Sequence, residues 1–213
     1  VLGHEAAGRI VQTGSDVDDL TDGDPVLVSL IRTCGECLAC RRGHDVACSG
    51  EFTLSTCSPL SDADGNRIPQ GLNVAGFATQ VVVHRSQVTL LPDDVDLIEA
   101  SLLGCGVLTG SGAVTNTAGV SDGDTVVVVG CGGVGISTIQ AARIAGASPI
   151  LAVDPVATKR EAAKRFGATH VLDPTTADLA ADAYLKKALL ALRPDCGWLS
   201  EETVDDHQRL ERE

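Results

Sequence analysis

The sequence predicts an α/β protein, with short strands in its first half and a parallel βαβ unit in its second. Thr125–Val129 is a continuous β-branched run, TVVVV, the pattern of a parallel strand buried on both faces. Gly130, Gly132 and Gly135 then spell G-x-G-x-x-G ahead of an apolar helical pattern through Ile136, Ile139 and Ile144. A second apolar run, Pro149–Val153, completes the unit and ends in Asp154.

Each part of that unit has a physical role. Gly130 makes the tight turn, Gly132 lets backbone approach a pyrophosphate, and Gly135 lets the helix pack close to the strand. Gly133 and Val134 fill out the same turn, and the phosphates sit at the helix N-terminus. Asp154, at the end of the second strand, is placed to accept hydrogen bonds from a ribose 2′-OH. A carboxylate there repels a 2′-phosphate, so NAD(H) is expected over NADP(H). The competing reading is a glycine-rich turn in an ordinary βαβ unit. The strand before, the helix after and the acid beyond favour the dinucleotide.

Composition narrows the function classes. At 213 residues the chain can bury a sizeable core, and with aromatics at 2% that core must come from Val, Leu, Ile and Ala. The net charge of −13 argues against nucleic acid and anionic membrane surfaces as partners. No apolar run is long enough to span a bilayer and no signal-peptide pattern opens the chain, so a cytoplasmic protein is expected. Eight cysteines in a reducing compartment point to metal or redox roles rather than disulfides. Methionine is absent and Val1 opens directly into a structured-looking pattern, which suggests a fragment.

Along the chain, AAGRIVQTG and PVLVSL read as two strands around the acidic turn DDLTDGD. Cys34, Cys37, Cys40 and Cys48 follow as C-x2-C-x2-C-x7-C on a loop rich in glycine and charge. Four thiolates so spaced can close a tetrahedron around Zn²⁺ and leave no open position, which makes the site structural. An iron–sulfur cluster competes, although bacterial ferredoxin loops have a shorter last gap followed by proline. A pair of disulfides is disfavoured by the compartment. Glu51–Gly71 reads as loop with SDADGN as a turn, and Cys57 within it as a free thiol. Residues 76–83 and Gln87–Leu91 read as two further strands, with His84 as ordinary surface. Asp96–Gly119 reads as a helical run broken at Cys105 between two glycines; taken alone, Cys105 is a small buried apolar residue.

GHEAAG at residues 3–8, the cysteine quartet, GCGVLTG at 104–110 and the GCGGVG turn stand in one order. Together they resemble the zinc-dependent medium-chain alcohol dehydrogenases over roughly residues 1–175. The resemblance implies a partial GroES-like β domain over 1–106, with a structural-zinc lobe at 34–48. It also implies a partial Rossmann-like parallel sheet over 107–177 that binds NAD. His4 and Cys105 then match ligands of a catalytic zinc, Glu5 the acid behind that zinc, Thr109 a residue beside the nicotinamide, and Lys159 a basic residue near the adenosine ribose. An alcohol bound at such a zinc loses its proton more readily and gives hydride to the nicotinamide, and the reverse reaction reduces an aldehyde.

The family's other catalytic cysteine and its proton-relay hydroxyl lie upstream of GHE, so weak or no turnover is expected of this chain. The family pattern gives way after FGATHVLDPTTADLAAD, before strands on which such enzymes form homo-oligomers. The segment 178–213, an amphipathic helix over 184–192 and then an acidic tail, resembles around Glu201 the inositol monophosphatase and bisphosphate nucleotidase group; a join between two coding sequences would account for it. Two rival functions follow: a zinc- and nucleotide-binding remnant without catalysis, and a phosphatase fragment built on the tail.

Overall fold

The computed structural model describes residues 1–176; the expected helix at 184–192 and the tail carrying Glu201 lie outside the described residues. The chain divides into two compact units, Val1–Gly106 and Val107 onward. The first holds an antiparallel sheet and the second a parallel sheet with helices, so the protein is α/β as the sequence predicts.

In the first unit, β1 (Ala6–Arg9), β2 (Pro25–Val28) and β3 (Val88–Leu90) lie in the order β1-β2-β3. Ala6 pairs with Val28, and Val28 in turn with Val88. The acidic turn before β2 is fixed by Asp24, whose carboxylate accepts the Thr21 N–H at 2.7 Å and the Thr21 hydroxyl at 3.0 Å. Leu20, Val26 and Val88 form a small buried cluster, with Ile10, Val17 and Val83 against it.

The strand expected over residues 76–83 does not form. Phe77 to Thr79 bend, and Gln80 to Val83 run without a β-partner. Their side chains still alternate, Val82 being exposed and Val81 and Val83 half-buried. The apolar period is therefore present, but a strand also needs a neighbouring edge for its N–H and C=O groups. A side chain takes one of them: Gln70 Nε2 donates to the Val82 carbonyl at 2.8 Å.

Two short helices, α1 (Leu38–Arg41) and α2 (Thr53–Thr56), lie in the loop region and bury nothing. The Asp62–Asn66 turn closes as its sequence suggests, with Asp62 Oδ1 accepting from the Asp64 and Asn66 N–H groups. Helix α3 (Leu97–Ser101) starts at Asp96, whose carboxylate caps the N–H groups of Ile98 and Glu99. A single 3₁₀ turn, Leu102–Gly104, leads to Cys105, where φ −144° and ψ −74° break the helix. A Cβ on Gly104 would sit 2.7 Å from the Val28 carbonyl oxygen, so this glycine lets the turn lie directly on β2. Helix α4 (Gly106–Gly112) follows and widens into π turns over Ala113–Ala118.

In the second unit, β4 (Val126–Val129), β5 (Ile150–Val153) and β6 (His170–Leu172) are parallel and adjacent in sequence order. Helix α5 (Gly133–Ile144) connects β4 to β5, and α6 (Ala157–Phe166) connects β5 to β6. As the middle strand, β5 has all four residues buried. The core gathers Val114, Val128, Ile139, Ile150 and Ala152 with Ala141, Ala142 and Ala163 of the helices. Alanines on α5 and α6 permit close approach, and every buried apolar residue among those described is Val, Leu, Ile, Ala or Cys131. No single described helix is long and apolar enough to cross a membrane.

Gly130 has φ +92°, and a Cβ added to Gly135 would lie 1.8 Å from the Gly130 carbonyl oxygen. A Cβ at neighbouring Gly133 would meet nothing within 4 Å. Gly135→Ala is expected to cost about 3 kcal/mol or more and to lower the melting midpoint by roughly 10 °C or more. Gly133→Ala should leave the midpoint unchanged or raise it slightly. Thermal unfolding of the two variants checks the pair, and equal melting midpoints would refute the close-approach argument.

Candidate functional site

The cysteine quartet comes together as one cluster. The four sulfurs of Cys34, Cys37, Cys40 and Cys48 all lie within 4.8 Å of one another, and Cys37 Sγ is 4.0 Å from Cys48 Sγ. A tetrahedron with Zn–S bonds of ~2.3 Å has sulfur–sulfur edges of about 3.8 Å, so the cluster fits a zinc ion. Backbone amides line the cage. Cys37 N–H donates to Cys34 Sγ at 3.3 Å, Cys40 N–H to Cys37 Sγ at 3.5 Å, and both Cys34 N–H (3.3 Å) and Gly50 N–H (3.4 Å) to Cys48 Sγ. These donors favour thiolates. Cys37 is held down to about 5, first by the Cys40 N–H, and Cys48 is lowered chiefly by the Gly50 N–H. Cys40 is pushed up to about 12 by burial and by the competing sulfurs. The cluster contains no disulfide.

A second pair forms within the same unit from residues 101 apart. His4 Nε2 lies 3.3 Å from Cys105 Sγ. Tetrahedral Zn–N and Zn–S bonds would set that edge near about 3.6 Å, so the pair fits two corners of a zinc site. Glu5 Oε1 accepts the Gly106 N–H at 2.9 Å, which ties the residue after His4 to the residue after Cys105. Among the described residues the quartet is the sole group of three or more closely gathered ligand-type side chains, so this second place has two protein donors. Thr109 stands one helical turn beyond Cys105 and is exposed.

His4 is held by a segment that sequence reasoning missed. The carbonyls of Val1, Leu2 and Gly3 accept from the N–H groups of Gly71, Phe77 and Gly76 at 2.7, 2.9 and 2.8 Å. Within that segment Leu72, Asn73 and Ala75 all have positive φ, at 50°, 63° and 57°. Such backbone is costly for residues other than glycine and persists where packing over-determines it. Here Val74 and Ala75 are buried. The one sequence signal was Asn73, the residue type that best tolerates this conformation, between two glycines.

In the second unit the glycine turn opens onto free space. Helix α5 has no side-chain cap at its N-terminus, and a Cβ on Gly132 would meet nothing within 4 Å. Its first-turn N–H groups are thus left for an anionic ligand, as a pyrophosphate requires. Gly133 and Val134 are exposed there. Asp154 at the end of β5 is 4% exposed, and its carboxylate accepts the Cys131 N–H at 2.9 Å and the Val156 N–H at 2.8 Å. Each carboxylate oxygen keeps a further acceptor site. Lys159 is exposed on α6, whereas Arg160 is committed: it donates to the Asp154 carbonyl at 2.6 Å and pairs with Asp173 at 2.9 Å.

Comparison with known proteins places this geometry. A family model described as Alcohol dehydrogenase GroES-like domain matches residues 1–93, and one described as Zinc-binding dehydrogenase matches residues 133–193. Over both stretches the chain is similar to the zinc-binding alcohol dehydrogenases. Among curated relatives, Alcohol dehydrogenase B of Mycobacterium tuberculosis is 39% identical over 195 residues, covering 89% of this chain and 52% of that protein. S-(hydroxymethyl)glutathione dehydrogenase of Haemophilus influenzae is 38% identical over 184 residues, 84% of this chain and 49% of that protein. Among solved structures, an alcohol dehydrogenase zinc-binding domain protein from Burkholderia ambifaria aligns with a TM-score of 0.79 at 34% identity. That alignment covers 89% of this chain and 51% of that one. Benzyl alcohol dehydrogenase from Acinetobacter calcoaceticus aligns at 0.75 with 36% identity and the same coverage. The chain therefore spans about half the length of the curated relatives it matches. The family match runs on to residue 193, past residue 182, where the sequence pattern is expected to give way.

The Asp154 carboxyl is held below its ordinary value, first by the Cys131 N–H and then by the Val156 N–H, against the opposing pull of burial. A depressed folded value means that its contribution to stability is complete above the unfolded aspartate value, about 3.9, and is lost as pH falls through the folded one. Asp154→Asn should therefore melt lower than the parent at pH 7, with the gap narrowing below about pH 3.9. A gap of the same size at pH 7 and pH 3 would contradict the assignment.

Proposed function

We propose that the chain carries the metal- and nucleotide-binding parts of a zinc- and NAD-dependent dehydrogenase that interconverts a primary alcohol and its aldehyde. The observation that carries this is the His4–Cys105 pair, an imidazole nitrogen and a thiol sulfur brought to 3.3 Å across 101 residues. Zinc held by that pair would polarise an alcohol or aldehyde oxygen, and a bound nicotinamide would exchange hydride with its carbon. Names of the relatives, alcohol dehydrogenases and S-(hydroxymethyl)glutathione dehydrogenases, support a primary alcohol as the substrate class.

The chain's own groups have distinct parts in this reading. His4 and Cys105 hold the metal, while Glu5 fixes their spacing through the Gly106 N–H. Cys34, Cys37, Cys40 and Cys48 hold a second, structural zinc. The open N-terminus of α5, with Gly130, Gly132, Gly133, Val134 and Gly135 around it, receives a pyrophosphate. Asp154 receives the adenosine ribose, with Lys159 near it, and favours NAD(H). Arg160 is already engaged by Asp173 and is a poor host for a 2′-phosphate.

A zinc- and nucleotide-binding module without turnover is the second reading, favoured by the two-donor count at His4 and Cys105. Both readings predict one firmly held zinc per chain, lost in Cys40→Ser. The dehydrogenase reading adds a second, weaker zinc that His4→Ala abolishes and a low rate of alcohol-dependent NADH formation that disappears with it. Metal analysis and absorbance at the NADH band distinguish the two; no second zinc and no NADH formation would leave the binding module. Fluorescence titration should show NADH bound at least about tenfold tighter than NADPH, a difference of about 1.4 kcal/mol. Equal affinities would count against Asp154 as the selecting group.

A further inference from the structure

Arg32 stands two residues before the first cysteine of the quartet, and it is 7% exposed. Its guanidinium is held in place on two sides. Nη2 donates to Asn73 Oδ1, and the group lies 5.3 Å from the centroid of the Phe52 ring. Asn73 is itself fixed: its Nδ2 donates to the Leu30 carbonyl at 3.5 Å, and its own carbonyl accepts from buried Gln87 at 3.2 Å. The remaining terminal nitrogen, Nη1, is buried and has no hydrogen-bond partner among the described residues.

Among the described residues no carboxylate pairs with this charge. The ion pairs among the described residues are Arg85–Asp19, Arg160–Asp173 and Lys164–Glu161. An arginine cannot escape the cost of burial by losing its proton, so a buried one needs a negative neighbour. Arg32 lines a pocket of about 260 Å³ whose other walls include Cys48, Gly50, Phe52, Ser55 and Asn73. Of these, Cys48 alone can carry negative charge. The same wall backs onto a second sulfur, since a Cβ on Gly50 would sit 2.7 Å from Cys34 Sγ.

We propose that Arg32 is the counter-charge of the cysteine quartet, a fixed buried cation that offsets the excess negative charge of four thiolates around one divalent metal and so slows the metal's release. The inference rests on reading the quartet as a zinc site. Four thiolates and one Zn²⁺ leave two negative charges in excess, and a guanidinium held in the wall of the pocket that Cys48 also lines offsets one without contributing a ligand. Arg32 is thus a positioning residue for the lobe, and its own lack of a carboxylate partner is explained by the sulfurs.

The test is the rate at which a chromogenic chelator strips zinc from the full 213-residue chain. Arg32→Gln should release zinc at least about tenfold faster than the parent, on the scale seen when groups behind metal ligands are removed, and Arg32→Lys should stay near the parent. Asn73→Asp, which hands the guanidinium a carboxylate and keeps Arg32 in place, should also speed release; it provides an independent reading if Arg32→Gln does not fold. A parent chain that holds no zinc would overturn the zinc reading of the quartet and this inference with it. A parent that holds zinc, with folded Arg32→Gln or Asn73→Asp variants that release it no faster, would overturn the inference alone. So would stabilisation of the parent, but not of Arg32→Gln, by inorganic phosphate, which would mark the pocket as a small-anion site.

Discussion

Regular secondary structure leaves backbone N–H groups over at every turn and helix start, and in this chain sulfur and carboxylate side chains take them at each place where a site forms. Cys48 Sγ receives two such groups and Cys34 Sγ and Cys37 Sγ one each. Asp154 receives two, and Glu5 receives the one at the start of α4. A charge-assisted bond from a backbone amide is stronger than a neutral one and fixes a side chain through the main chain rather than through flexible neighbours. Sulfurs and carboxylates are therefore oriented before any ligand arrives, which is the condition for a metal cage to form without rearrangement.

The same economy explains how the second unit presents its turn. Gly135 packs on the Gly130 carbonyl, which brings α5 against β4, and Asp154 ties the end of β5 to the Cys131 amide at that turn. Helix α5 is left uncapped at its N-terminus. Its free N–H groups face water in this state, which is tolerable at a surface and would be costly in a core. A helix start kept open in this way, with an acid buried beside it, sets uncommitted donors and a fixed carboxylate next to one another by geometry already present in the chain.

Much of this was legible in the sequence because it is local. The β-branched run at Val126–Val129, the glycine spacing and Asp154 lie within thirty residues of one another and fix a βαβ unit by period and turn chemistry alone. The quartet was legible for the same reason, since its cysteines fall within fifteen residues. What failed was long-range. Residues 76–83 have the alternation of a strand, yet pairing depends on an edge elsewhere in the fold, which no local pattern reports. The pairing of His4 with Cys105 came from family resemblance and not from spacing. Arg32 was not anticipated, because an arginine in a charged loop is normally solvated, and its burial depends on Phe52 and Asn73 reaching it from twenty and forty-one residues away.

The lobe that carries the quartet shows why a metal belongs there. From Thr33 to Asn73 no residue is buried, so this stretch has no hydrophobic core of its own. Helices α1 and α2 are single turns that bury nothing, and an isolated turn of helix is unstable in water. Segments this poor in buried surface hold a fixed shape through disulfides or a structural metal, and the cysteines here are unbridged. Four sulfurs gathered at the root of the lobe, with Arg32 buried just before the first of them and Asn73 and Val74 returning beneath, place the one cross-link where the chain enters and leaves. Ligand binding at that point is folding energy for the whole lobe, in contrast to the second unit, whose valine and alanine core carries its own shape.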